Sequence, residues 1–171
     1  MKDNRDMEAI FIDVGNTMRI VVKDDEFQSQ ARQQLVTLVG ANETPDAFCD
    51  LLEARYRVYR KHAKQSLTEA CERDLWTQWM LPDFPADRIG PLSGRLTRLW
   101  RDRDGRRVAR PDVKDVVLEL TRRGYHLGII ANTITETEIP DWLEADGLTG
   151  YFETVVLSSK TGPVSYTHLR A

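Results

Sequence analysis

Two apolar patterns divide the chain. Ala9-Ile10-Phe11-Ile12 is an unbroken apolar run rich in β-branched and aromatic residues, followed by Asp13 and the turn signal Gly15-Asn16. Such a run predicts a buried strand of a parallel sheet. His126–Ala131 and Phe152–Leu157 repeat the pattern and predict two further strands. Between the first and second runs the apolar spacing becomes helical. Leu35, Leu38 and Val39 share one face of a helix expected over Gln28–Val39, which Gly40 stops. Thr44-Pro45 joins an N-cap to a first-turn proline and opens a helix towards Ala63, with Phe48, Leu52 and Tyr59 inward. Ser66 is expected to cap a third helix carrying Leu67, Cys71, Leu75, Trp76 and Trp79, ended by Pro82 and Pro85. A fourth is expected over Pro91–Trp100, then a charged connector over Arg101–Arg110. Asp112 then caps a helix with Val113, Val116, Val117 and Leu120 on one face and Gly124 as its stop, and Glu136–Ala145 makes a short one.

From Arg110 onward helix and strand alternate, and crossovers of that kind force parallel pairing. The predicted fold class is therefore α/β: a Rossmann-like parallel sheet, incomplete, interrupted by an α-helical insertion. Its expected parts are 1–17 with the first strand, 18–107 as the insertion, 108–163 as the rest of the sheet, and 164–171 as a foreign tail.

Composition narrows the class. The 171 residues are 41% hydrophobic and 30% charged, a globular composition. A formal charge of −3 gives no reason to expect nucleic acid. The apolar runs are too short to span a bilayer, and the charged N-terminus lacks the apolar stretch of a signal peptide. Cys49 and Cys71 fit neither a disulfide scaffold nor a CxxC metal site and read as packing residues. The expectation is a cytoplasmic protein with a small-molecule substrate, no nucleic acid and no membrane; the oligomeric state is not encoded legibly. Trp76, Trp79 and Trp100 read as core of the insertion, and His62 and His126 as isolated.

Ligands of open parallel sheets bind beyond the carboxyl ends of the strands. Asp13, Gly15, Asn16 and Thr17 follow one such end; Asn132 and Thr133 follow another. A carboxylate there suits a nucleophile or a magnesium ligand. Taken alone, Asp13-x-Gly15-Asn16 is ordinary turn chemistry. In combination, Ala9–Met18 resembles motif I of the haloacid dehalogenase-like (HAD) hydrolase superfamily, an apolar strand ending in Asp-x-Asp-x-Thr. Leu127–Thr133 is similar to motif II, and Gly147–Gly162 to the approach to motif III. The insertion after motif I matches a C1-type cap.

The resemblance implies a magnesium-dependent phosphatase of a small phosphorylated metabolite. Asp13 would be the nucleophile, forming an aspartyl intermediate. Mg2+ would bridge Asp13 and the Gly15 backbone carbonyl. Thr17, Asn132 and Thr133 would bind substrate, and the cap would exclude water. Two departures count against this. The acid/base aspartate is Gly15, and the hydroxyl of motif II is Ala131, for which Thr133 is the substitute. The alternatives are a 2-haloacid dehalogenase, which needs no protonated leaving group, and a catalytically dead binding protein of the same fold.

The lysine and acidic motifs that follow in the family are expected to be missing here. Lys160 precedes the Thr-Gly step and reads as a solvated loop lysine. Val164–Ala171 can be encoded by a string resembling a sequencing-library adaptor, so the tail, with His168, is expected to be foreign. A truncated chain of this kind is expected to leave the first strand with an unpaired edge, and to be poorly soluble and inactive. The arginines from Arg95 to Arg110 read as a solvated helix end and linker, with some placed to meet a substrate phosphate at the hinge of the cap.

Overall fold

In the computed structural model, residues 8–162 are described. The suspected foreign tail lies outside them. The first apolar run forms β1 (Ala9–Ile12), and the chain then turns into β2 (Arg19–Val22). A helical block follows: α1 (Asp25–Val39), α2 (Pro45–Ser66), α3 (Glu72–Asp74) running into a π-helical turn at Leu75–Met80, α4 (Ala86–Ile89), a 3-10 turn and α5 (Ser93–Asp102). The return path is β3 (Arg106–Ala109), α6 (Val113–Arg122), β4 (His126–Ala131), α7 (Glu138–Ala145), β5 (Thr154–Leu157) and α8 (Ser158–Thr161).

The three predicted strands form one parallel sheet in the order β1-β4-β5. Ala9 lies opposite His126 and Ile12 opposite Ile129, so the carboxyl ends of β1 and β4 share one edge. Among the described residues β1 pairs on one side only. Phe11 faces Gly128 across the register, its ring occupying the space a Gly128 side chain would need. Beneath the sheet Leu127, Ile129, Val117, Leu143 and Phe152 pack into one apolar cluster. Phe48, Leu52, Leu75, Trp76, Met80 and Leu96 fill a second cluster inside the helical block. Burial of this kind is the main favourable term in each half.

Four local expectations are corrected. Arg101–Arg110 is not a plain connector: its second half is β3, which pairs antiparallel with β2, Arg19 opposite Ala109 and Val22 opposite Arg106. This ribbon opens and closes the helical block. Its strands are four residues each, and the arginines that open them, Arg19 and Arg106-Arg107, hid it from an apolar pattern. Ser66 does not start a helix. Its hydroxyl donates to the His62 carbonyl at 3.0 Å, α2 runs through it, and Leu67 ends the helix in a left-handed conformation at φ +54°. The next N-terminus is at Glu72. Asp112 precedes α6 without a side-chain cap, and Val116 on that helix is exposed. Several arginines of 98–107 are ion-paired: Arg98 with Asp141, Arg103 with Glu53 and Arg101 with Glu138, while Arg106, paired with Asp24, stays exposed. Among the tryptophans, Trp76 and Trp100 are buried, and the Trp76 indole N–H donates to Thr97 Oγ1 at 2.8 Å.

Candidate functional site

Asp13 follows the last residue of β1 and is half-buried. Behind it the backbone closes tightly. The Val14 carbonyl accepts from Thr17, Met18 and Arg19 N–H at 3.3, 3.0 and 2.9 Å. Asn16 sits left-handed at φ +60°, a conformation asparagine tolerates better than most residues. The Thr17 hydroxyl donates to Asp13 Oδ2 at 3.4 Å. At Gly15 a side chain would meet nothing within 4 Å, so the position that lacks an acid is sterically open.

The loop after β4 is tied down from the start of α8, just beyond β5. Ser158 Oγ accepts from Thr133 N–H at 2.9 Å and donates to the Thr133 carbonyl at 3.2 Å. Ser159 donates to the Thr135 carbonyl at 2.7 Å, and Thr135 Oγ1 accepts from Glu138 N–H at 3.2 Å. These hydroxyls are buried, so the loop carrying Asn132 and Thr133 is pre-organised. Part of the Thr133 hydroxyl's capacity is taken by Thr135 N–H at 3.2 Å.

A cavity of about 160 Å³ opens at this edge. Gly15 and Asn16 line it from the first loop, and Asn132 and Thr133 from the second. Thr17 lies elsewhere, on a second cavity of about 210 Å³ with Ile12, Met18 and Arg110. Asp13 is among the lining residues of neither. Val14, Gly15 and Asn16 after it line the first cavity, and Ile12 before it lines the second. Of the residues expected to bind substrate, then, Asn132 and Thr133 share a cavity with Gly15, and Thr17 does not.

Sequence reasoning missed the centre of charge in the first cavity. Arg19 from β2, Arg101 from α5 and Arg107 from β3 also line it. All three converge on Glu138 at the start of α7, which is only 5% exposed at its side chain. Arg19 Nη1 donates to Glu138 Oε1 at 2.9 Å, Arg101 Nε donates to Oε2, and Arg107 Nε lies 3.6 Å from Oε1. Burial pushes the Glu138 carboxyl upward, but Arg101, Arg107 and Arg19 outweigh it and hold the group below its ordinary range. Burial draws the Arg19 guanidinium downward against the pull of Glu138. Arg107 is lowered by burial and then by Arg101. Arg19 Nε is buried without a hydrogen-bond partner. The basic run of 95–110 was the only sequence signal for this centre; nothing nearby marked Arg19 or Glu138.

The resemblance implies the Asp13 carboxylate and the Gly15 carbonyl as the protein's donors to a metal. Among the described residues no group of three or more His, Cys, Asp or Glu is placed to hold an ion. Magnesium is commonly held by one or two carboxylates together with substrate phosphate and water. The two donors fit as part of such a shell and do not form a protein cage.

No family model matches the chain, and no curated protein matches it. Among solved structures, it is similar to a predicted phosphoglycolate phosphatase from Haemophilus somnus 129PT, at 12% identity and TM-score 0.48, over 89% of this chain and 63% of that one. A dehalogenase with an intermediate complex is 20% identical at TM-score 0.46, over 91% and 64%. A HAD phosphatase from Thermococcus onnurineus is 18% identical at TM-score 0.46, over 90% and 63%. The chain thus spans less than two thirds of the length of the structures it resembles.

Proposed function

We propose that the chain is part of a HAD-like hydrolase, a magnesium-dependent phosphatase that acts on a small phosphorylated metabolite in the cytoplasm. The observation that carries this reading is the shared edge. Asp13 ends β1, Asn132 and Thr133 follow the parallel neighbour β4, and one cavity lies between their loops. In this reading residues 18–107 are the cap.

Asp13 attacks phosphorus, the bond from phosphorus to the substrate oxygen breaks, and an aspartyl phosphate forms. Water then attacks phosphorus, releasing phosphate and restoring the carboxylate. Dividing one hard displacement into two is the gain. Asn132 and nearby backbone N–H groups not spent inside the first turn hold the transferred oxygens. The helical cap and the β2–β3 ribbon keep bulk water out. Magnesium, held by Asp13 and the Gly15 carbonyl, would supply charge neutralisation on the transferred group.

A second reading has its own observation. Gly15 transfers no proton, a step worth about 10²–10⁴-fold. Displacement of halide from carbon needs no such proton, which favours a 2-haloacid dehalogenase. Gly15 and Ala131 together favour a fold retained only for binding.

The test is hydrolysis of p-nitrophenyl phosphate with magnesium, run on the 171-residue chain and on the contiguous genomic reading frame. Turnover that Asp13→Asn abolishes supports the phosphatase. Release of chloride from 2-chloropropionate, without phosphatase turnover, replaces it with the dehalogenase. Neither activity in the contiguous product leaves the binding protein.

A further inference from the structure

The contact between the ends of β4 and β5 carries an inference of its own, which deepens the proposed phosphatase and rests on it. Ala131 lies opposite Leu157 in the β4–β5 register, so Asn132 and Ser158 leave the sheet side by side. Ser158 is fully buried, and its one hydroxyl meets both backbone polar groups of Thr133. A serine hydroxyl has one proton and two lone pairs. The proton goes to the Thr133 carbonyl, and one lone pair takes the Thr133 N–H. That N–H belongs to the peptide joining Asn132 to Thr133, and the carbonyl to the peptide joining Thr133 to Ile134. One oxygen atom therefore holds both planes. The next residue, Ile134, is buried in the apolar cluster of the helical block and anchors the loop from its other side.

What this leaves facing a ligand is narrow. From Ala131 to Thr135 every residue is buried except Asn132, which is exposed and lines the first cavity. Ala131 has no hydroxyl. Thr133 lines the cavity too, but its N–H is committed to Ser158 and its hydroxyl accepts from Thr135 N–H. The peptide before Asn132 closes β4, and the peptide after it is held by Ser158. Peptides are planar, so two fixed planes fix the Cα–Cβ direction between them. Ser158 does not line the cavity and reaches it only through this loop. We propose that Ser158 is a positioning residue: by clamping both peptide groups of Thr133 it aims Asn132 at the group that Asp13 attacks. Ser159, equally buried, holds only the Thr135 carbonyl, further from Asn132, and supplies the comparison.

A double-mutant cycle between Ser158→Ala and Asn132→Ala tests the assignment. It is read by turnover of p-nitrophenyl phosphate in the contiguous product, with circular dichroism and urea midpoints alongside. Ser158→Ala lowers kcat about 10²-fold, the scale of a misplacement of about 1 Å, and leaves KM within about twofold. Ser158→Cys, which keeps the shape and a weak donor, recovers part of the loss. In the Asn132→Ala background Ser158→Ala costs less than about threefold more, because its effect runs through Asn132. Ser159→Ala moves the urea midpoint comparably and kcat far less. Additive losses in the cycle overturn the proposal. So does a kcat that falls equally in Ser158→Ala and Ser159→Ala. If Ser158→Ala lacks the parental circular dichroism, Ser158→Cys runs the same cycle with the same two outcomes. Failure is separable from that of the hydrolase. Asp13-dependent turnover with an additive cycle removes the positioning role alone. Without Asp13-dependent turnover the hydrolase falls, and calorimetric affinity for inorganic phosphate on the 171-residue chain reads the cycle instead. Non-additive losses of affinity then keep Ser158 as the positioning residue of an anion-binding loop. Additive losses, or no phosphate binding, remove it.

Discussion

Glu72 and Glu136 exchange hydrogen bonds between the helical block and the sheet. Glu136 Oε1 accepts from Glu72 N–H at 3.0 Å, and Glu72 Oε1 accepts from Glu136 N–H at 2.9 Å. Glu136 thereby caps the N-terminus of α3, and Glu72 pins the loop that leads from Thr133 into α7. One reciprocal pair couples the insertion to the loop of the candidate site.

The pair is sensitive to pH. Burial raises the Glu72 carboxyl above its ordinary value, with the neighbouring Glu136 adding to the shift and backbone Glu136 N–H, Thr135 and Arg98 opposing it. The fold therefore holds this proton more firmly than the unfolded chain does. The contribution to stability is fully present at low pH and is lost as pH rises through the folded value. Glu72→Gln keeps the acceptor and removes the buried charge. Urea unfolding followed by tryptophan fluorescence should find the variant at least as stable as the parent at about pH 7, with the difference closing towards about pH 5. Glu72→Ala, which orphans Glu136 N–H, should cost about 1–3 kcal/mol.

Glu138 has the opposite sign. Its lowered folded value contributes stability above the unfolded pKa that is lost as pH falls through the folded one. Glu138→Gln removes the one carboxylate that Arg19, Arg101 and Arg107 all contact, and removing one partner of a buried ionic cluster typically costs about 3–5 kcal/mol. Denaturant midpoints at neutral pH measure it. A loss no larger than that of a surface pair would mean the cluster is hydrated.

Gly15 offers a gain-of-function test. A side chain there meets nothing within 4 Å, so Gly15→Asp should fold like the parent. In a phosphatase it restores a proton donor and should raise turnover of p-nitrophenyl phosphate by about 10²-fold. In a dehalogenase, halide release should not rise.

Two left-handed glycines separate strain from crowding. Gly40, at φ +67°, follows α1, and a Cβ there would lie 2.8 Å from Arg88 Nη2, which donates to the Val39 carbonyl at 2.5 Å. Gly124, at φ +85°, has open space around it. Gly124→Ala should cost about 1 kcal/mol from the backbone alone, and Gly40→Ala more, because Arg88 must also move. Equal thermal shifts would show that the Arg88 contact adds nothing.

Strands β1, β4 and β5 were legible because runs of apolar, β-branched residues announce strands, but only β4 is buried along most of its length: β1 leaves Phe11 55% exposed and β5 leaves Val155 exposed. Thr44-Pro45 and Gly40 marked helix ends because their chemistry is local. Asp13 and Asn132 could be placed at one edge as soon as the pairing was parallel. The β2–β3 ribbon stayed hidden because its strands are only four residues long and its pairing joins residues about ninety positions apart in sequence, as Arg19 with Ala109 does. The same holds for the charge centre. Arg19, Arg101, Arg107 and Glu138 come from four separate elements, and no spacing within any one of them announces the meeting. Apolar periodicity is a property of each segment and can be read along the chain. The desolvation that turns four ordinary surface residues into one buried ionic cluster arises only when distant segments pack, so the tertiary structure alone decided it.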